Sequence, residues 1–567
     1  MPRHQYPAPP PPPPVPPVPP GEPIAREPEP SEEEPSVARS SKVMALGTLA
    51  SRATGFLRNA ALVYVLGVGL VGDAYNAANV LPNMVYELLL GGVLSSVFVP
   101  LIVKAQKEDG DRGEAYTQRL LSLTVVALGA ATLLAVLLAP LLITLQGFSG
   151  HGDQRSVAVA LARLLLLEIF FYGIGAILGA VLNTRGHFAA PMWAPILNNF
   201  VVMATCAVFI AMPGPKTLTP HSITTNQVLV LGGGTTLGIV VQALALVPAL
   251  RKVGFRWRWR FDYRNARLRE AANLASWMLF YVIVSQIGVV VVQRLAVQIT
   301  HHHAVAGFTV YTNAQLMFML PHGIVAVSLI TALMPRMSRA AVAHRYHEVA
   351  HNLALGTRLI SLVLIPVTAM LMSMAVPLCV VLLGHGRAGG RGGSDIGHAL
   401  VAGAPGLVLF AVSQLQIFAF YAMRDTRTPA LINVAVVGAK VTVDVVLYHT
   451  LPPSAVVAGL MWGNTASYAV CVVVSAYLLR RRLGRLDGRQ IVQTGLRVAV
   501  ASFFGGCLAY ALWLTVTLFL GQGFSGSLAA LVVGGGLGGL VLGTLLFWMR
   551  LPEMEQVLGT VRSRLGR

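Results

Sequence analysis

The chain has 567 residues, of which 55% are hydrophobic and 11% charged, with a mean hydropathy of +0.67 and a formal charge of +19. A soluble protein of this length needs far more charge to cover its surface, so the composition excludes a soluble globular enzyme and points to a polytopic membrane protein. The positive balance could suggest nucleic acid, but its distribution along the chain argues for membrane topology instead.

Residues 1–41 form a polyproline and acidic tail, with APPPPPPVPPVPPGEP followed by Glu32-Glu33-Glu34. Such a segment cannot build a core and is expected to be a disordered cytoplasmic tail. It carries no signal-peptide pattern, so the first apolar segment is expected to be retained. A spacer is the simpler role. The alternative is a polyproline ligand for an SH3- or WW-like partner.

From Lys42 onward fourteen apolar segments are long enough to cross a hydrocarbon core of about 30 Å. They lie near 43–68, 73–103, 120–147, 157–183, 188–212, 227–250, 271–299, 304–335, 352–384, 396–423, 428–450, 454–479, 491–519 and 526–549. Loops after even-numbered segments hold 23 Lys/Arg and those after odd-numbered segments hold 4. That asymmetry predicts that the even loops and both termini face the cytoplasm of a plasma-membrane protein. The expected fold is an all-α bundle of fourteen transmembrane helices. Two six-helix lobes, 42–250 and 271–480, are joined by a basic cytoplasmic linker, 251–270. Two further helices follow within 490–550, and 551–567 is a cytoplasmic tail. The lobes are read as parallel repeats: Leu81-Pro82 in the second segment echoes Leu320-Pro321 in the eighth, and LNTRGHFAAP echoes YAMRDTRTP, six helices apart.

The first segment, LASRATGFLRNAAL, carries Arg52 and Arg58 where a charge costs roughly 3 kcal/mol on insertion scales. On a helix, Arg52, Asn59, Gly55, Ser51 and Arg58 share an arc of about 120°, with the arginines about 9 Å apart along the axis. Guanidinium forks suit phosphate oxygens, so the arc could grip an extended polyanion; an internal ion-pair network with Asp73 or Glu87 is the alternative. The second segment begins at Asp73. Its Pro82 removes a backbone hydrogen bond, and Gly91-Gly92 follow a turn below Glu87, so the helix can line a cavity or move. Arg163, Arg294, Arg358, Lys440 and Arg497 are the other cations within apolar segments. Arg358 and Arg497 can snorkel to the cytoplasmic face.

The Arg/Trp-rich linker 251–270 reads as a membrane-surface segment rather than a nucleic-acid stripe. His301-His302-His303 reads as a solvated outward loop. His347-Glu348-Val349-Ala350-His351 matches the HExxH pattern of zinc proteases, but no third ligand is evident and no metal is expected. Lys440 and Asp444 are i,i+4 neighbours able to form an ion pair. The four cysteines lie in apolar segments without metal-ligand spacing and read as free packing residues. GGGLGG (534–539) lacks a Walker ending; Gly534/Gly538, Gly535/Gly539 and Gly539/Gly543 read as small-residue packing pairs. No Walker A motif occurs, so neither ATP hydrolysis nor a cofactor is expected.

Several stretches together resemble the MurJ/MviN family of lipid II flippases, within the multidrug/oligosaccharidyl-lipid/polysaccharide exporter superfamily. They are SRATGFLRNAALVYVLGVGLVGDAYNAANVLPN (51–83), RLLLLEIFFYGIGAILGAVLNTRGHFAAPMWAPILNN (163–199), Ser285-Gln286-Ile287 and FYAMRDTRTP (420–429). The resemblance covers about residues 43–550. It implies a V-shaped transporter, not an enzyme, with a central cationic cavity and a lipid-tail groove at the last two helices. The implied cargo is undecaprenyl-diphosphate-linked disaccharide-pentapeptide, moved to the outer leaflet by alternating access. On this resemblance Arg52 and Arg58 bind the diphosphate and Asp73 holds or releases an arginine near the outer gate. Asn83, Glu87, Arg294 and Gln315 complete the substrate-binding candidates. Pro82, Gly91, Lys440 and Asp444 join Asp73 as gating or coupling candidates.

The chain departs from the Gram-negative pattern, which has two arginines and then a Glu after LPN. Tyr86, Glu87 and Gly91 stand there, and Gln315 stands at the helix-eight arginine. Arg294 or Arg163 is the candidate substitute. Some members of the family are expected to hold Na⁺ near helix eleven. Here the Lys440 ammonium would fill that role beside Asp444, so no Na⁺ site is expected, and membrane potential is the alternative source of coupling. The competing readings are an exporter of another polyprenyl-diphosphate glycan or of a drug, and a scaffold for wall-synthesis enzymes.

Overall fold

The computed structural model describes residues 34–87, 113–149, 152–215, 217–255, 257–260, 268–303, 307–484 and 486–549. The proline-rich tail, Gly91 and Gly92 lie outside them. Among the described residues every regular element is a helix. Eleven spans among the described residues are long and apolar enough to cross a membrane, or twelve if one bent pair counts as a span. These correspond to the third to fourteenth expected segments. The first two coincide with α1 (Glu34–Leu66) and α2 (Leu70–Glu87), and the expected continuation of α2 to residue 103 falls outside the described residues.

The third span is α3 (Glu114–Leu137) with a short α4 (Ala139–Leu145); the fourth is α5 (Asp153–Leu165) and α6 (Glu168–Thr184). The fifth is α7 (Ala189–Ala211), and the sixth is α8 (Thr225–Leu244) with α9 (Leu246–Lys252). The second half opens with α10 (Leu268–His303), α11 (Phe308–Val342) and α12 (Tyr346–Leu383). It continues through α13 (Gly389–Gly403), α14 (Gly406–Ala422), α15 (Arg427–Thr450) and α16 (Val456–Leu483). Last come α17 (Gly488–Leu520), α18 (Phe524–Ala530) and α19 (Gly536–Trp548), the latter two joined by a π-helical turn. Helix α10 runs through His301–His303, so these histidines form its last turn rather than a loop: the apolar run ahead of them carries the helix on.

The same packing recurs at an offset of six spans. Helix α1 packs on α7 and α2 on α5, as α10 packs on α15 and α11 on α13 and α14. The repeat extends to the helix breaks. The fourth span is interrupted at Leu166–Leu167, where Thr236 on α8 donates to the Leu164 carbonyl at 2.9 Å. The tenth bends by 55° between α13 and α14, at Pro405, which has no N–H to give. Pro191 and Pro429 both occupy the third position of the helix that follows the basic hairpin. Direct packing between the two halves runs through α2 against α10 and α11, and α1 against α12.

Helix α17 lies along α12, where Ser373 donates to the Gly506 carbonyl at 2.8 Å. A Cβ on Gly538 would come within 2.6 Å of the Ala509 Cβ, and one on Gly534 within 2.9 Å of the Ala509 carbonyl. Gly534/Gly538 is therefore the packing pair. Gly535, Gly539 and Gly543 have nothing within 4 Å, so the other two expected pairs face open space. Cys206, Cys379 and Cys471 are free and buried, while Cys507 is free and exposed on α17.

Candidate functional site

The polar arc of α1 meets both halves. Asn59 donates to Asn313 Oδ1 of α11 at 2.6 Å, and Arg52 extends onto α11 at Gly323, where a Cβ would collide with its Nη1. Arg52 is exposed, and no carboxylate of the described residues lies within 4.0 Å of it. Its charge reaches His322, whose Nε2 is buried without a partner among the described residues. On the middle of the arc, Asn199 of α7 bonds Thr54 Oγ1 at 2.9 Å and faces Gly55. Arg58 lies at the far edge, half-buried and turned into the first half. There its charge reaches Glu168, Tyr75, Tyr172 and Cys206. An arc of about 120° is wide enough to face two neighbours, and that width parts the two guanidiniums.

Asp73 is fully buried and is bonded entirely by the other half. Thr300 donates a hydroxyl at 2.7 Å, and the backbone N–H groups of Thr309 and Phe308 donate at 2.7 and 3.3 Å. These are N–H groups that a helix start leaves unpaired, so the carboxylate caps α11 across the interface and meets its positive end. Asn76 adds a bond to Thr309 Oγ1 at 3.1 Å. Beside it, Arg387 donates its backbone N–H to Tyr64 O at 2.9 Å and Nη1 to Val65 O at 2.8 Å. The expected arginine partner of Asp73 is thus replaced by a hydroxyl and two amides. About 21 Å down α2, Glu87 accepts from Gln286 Nε2 at 2.9 Å, in an exposed contact. Among the described residues, hydrogen bonds between the halves are therefore concentrated at the Asp73 end. A cavity of about 1060 Å³ opens over that end, bordered by Thr300, Asp153, His221, Arg391, Asp395 and His398.

The remaining candidates are placed as follows. Gln315 is half-buried and accepts from Asn464 Nδ2 at 3.2 Å, inside a network of the second half. Asn464 also donates to Tyr311 Oη at 2.9 Å, and Lys440 donates to Asn464 Oδ1. Lys440 and Asp444 form the expected i,i+4 ion pair at 3.8 Å, with Asp444 fully buried against Gly463. Arg294 is exposed near the Asp73 end, its backbone packed on the turn at Gly147, and Arg163 is exposed on α5. Neither joins the Arg52 region. Asn83 donates to its own helix at Asn79 O, and Pro82 is buried in α2. Tyr86 packs on Tyr172 with tilted rings, centres 4.7 Å apart, beside a cavity of about 320 Å³ within the first half. Glu168 was missed as a site residue, although an acid inside an apolar segment is itself the signal.

Two motifs resolve simply. Glu348 of the HExxH match accepts from Arg345 at 2.7 Å, and among the described residues no three His, Cys, Asp or Glu side chains gather as a metal site. In the linker, Trp257 packs on Trp259 with tilted rings, and the Arg260 N–H donates to Ser122 Oγ on α3 at 3.1 Å.

In the hairpin before α15, Asp425 accepts from the Thr428 N–H at 2.9 Å and its hydroxyl at 2.6 Å, and pairs with Arg482. Partial burial works against the Asp425 charge, but the bonds from Thr428 and Arg482 outweigh it and hold the carboxyl below its ordinary range. Its stabilisation is complete above that ordinary range and is lost as pH falls through the depressed value. Asp425→Asn is therefore expected to cost about 1 kcal/mol at neutral pH. Melting curves against pH should show the difference shrinking in acid.

The sequence profile of the family described as lipid II flippase MurJ matches residues 62–534. The chain belongs to the MurJ family. A probable lipid II flippase MurJ from Synechocystis sp. is 24% identical over 494 residues, covering 84% of this chain and 89% of the relative. The lipid II flippase MurJ of Burkholderia cenocepacia is 26% identical, covering 69% and 74%. A solved lipid II flippase MurJ in an inward closed conformation shares the fold, with a TM-score of 0.68 at 17% identity over 88% of this chain and 97% of that one. An inward-facing multidrug MATE transporter shares it at 0.60 and 16%, over 76% and 96%. This MurJ-family chain is a multi-pass bacterial membrane protein.

Proposed function

We infer that this chain turns lipid II from the cytoplasmic to the outer leaflet by alternating access, as a transporter that makes and breaks no covalent bond. Fourteen spans form two six-helix lobes in a V, with α17 to α19 as a groove for the lipid tail. The charge asymmetry of the loops assigns the Asp73 end to the outside and both termini to the cytoplasm. The observation that carries the reading is Arg52. It is an exposed guanidinium laid across the interface onto Gly323, without an acid among the described residues, below an end that hydrogen bonds hold shut. Such a group can grip the diphosphate of a lipid entering from the cytoplasmic side. Cargo then competes with the Asp73 contacts, and the outer end opens. An exposed arginine without an acid partner among the described residues disfavours a cationic drug.

The test is reconstitution of the full chain in vesicles with lipid II, reading its exposure on the far leaflet. Protein-dependent exposure supports the reading. Exposure no faster than in empty vesicles contradicts it. Because Lys440 already places an ammonium at Asp444, turnover is expected to be equal in Na⁺ and K⁺ buffers. A several-fold stimulation by Na⁺ that Asp444→Asn abolishes would contradict that expectation.

A further inference from the structure

The break in the fourth span sets Glu168 at the first position of α6, inside the bilayer and 1% exposed. Its Oε1 is buried with no hydrogen-bond partner among the described residues, and the same is true of Arg58 Nε. The Arg58 charge acts directly on this carboxyl, yet no carboxylate of the described residues lies within 4.0 Å of the guanidinium. Around them stand Tyr75, Tyr172 and Cys206, and Tyr172 borders the cavity of the first half. A buried acid and a half-buried guanidinium that feel each other's charge without pairing are costly in a membrane, and they persist where a third partner is served.

We propose that Glu168 is a positioning residue for transport: the counter-charge to which Arg58 returns whenever no diphosphate is bound. The carboxylate and the cargo diphosphate compete for one guanidinium. With cargo present, Arg58 turns to the phosphate oxygens. As cargo leaves, Glu168 takes over the charge, so release does not strand a bare cation in a low-dielectric wall. The start of α6 offers its positive dipole end to the waiting carboxylate. Without Glu168, the bound state gains on the empty one, and the lipid is held too well to leave.

This proposal rests on the lipid II reading, and its test separates the two. Binding of undecaprenyl diphosphate is measured on the full chain in nanodiscs, alongside lipid II turnover in vesicles. Glu168→Gln is expected to bind roughly tenfold more tightly, with KM and kcat both reduced. Glu168→Asp, with its acid drawn back from Arg58, is expected to bind roughly two- to threefold more tightly and serves if the glutamine variant does not insert. In an Arg58→Ala background, adding Glu168→Gln should change neither quantity. Unchanged affinity in a folded Glu168 variant, or the same effect with and without Arg58, overturns the proposal. If the wild-type chain prefers the diphosphate no more than undecaprenol, the lipid II reading itself fails.

Discussion

Arg52→Ala is expected to reduce lipid II turnover roughly 10- to 100-fold while leaving expression and Tm unchanged. The magnitude is that of one bidentate, charge-assisted contact, about 1.5–3 kcal/mol. The unchanged Tm follows from the environment of Arg52: it is exposed and has no carboxylate within 4.0 Å among the described residues, so its removal orphans no buried acid. Arg52→Lys keeps the charge but loses the planar fork, so it should fall between the two. Gly323→Ala offers an independent check, because its methyl group would occupy the place of the guanidinium. It should reproduce much of the loss without touching a charge. Turnover in vesicles, normalised to inserted protein, is the measurement.

Asp73→Asn is expected to shift the chain toward a form open at the outer end. The carboxylate accepts from one hydroxyl and two amides of the other half. An asparagine can offer one oxygen, but its NH₂ group then confronts a donor. Losing one to two such bonds at a buried site costs about 1.5–3 kcal/mol, a shift of roughly 10- to 100-fold in the balance of states. The shift is read by adding Ala77→Cys, a fully buried position whose carbonyl accepts from Gln293 across the interface. Labelling by an impermeant maleimide from outside should rise in the Asp73→Asn background. Turnover should fall, because the outer end no longer closes efficiently before the next cargo enters.

What the sequence made legible follows from the range of each interaction. Spans were readable because a bilayer of about 30 Å imposes a length and a polarity on every helix. Lys440 and Asp444 were readable because an i,i+4 pair is fixed by one turn of backbone. The α1 arc was readable as an arc, but its neighbours were not: Asn59 finds Asn313, 254 positions away, while the charge of Arg58 reaches Glu168. The partners of Asp73 left no signature, since two of them are backbone amides that any residue supplies. Gln315 was expected at the cargo site from the resemblance alone, and its bond to Asn464 was not readable, since only the packing of α16 brings the two together. Glycine spacing likewise identified three stripes on the last span but could not say which one met Ala509.

The most direct test of the account is to tie the halves together where they meet at the closed end. Asn59→Cys and Asn313→Cys replace side chains that touch across the interface at 2.6 Å. Joining the two thiols with a short reducible crosslinker should stop lipid II turnover in vesicles, and reduction should restore it. Undiminished turnover by the crosslinked chain would contradict transport through separation of the halves.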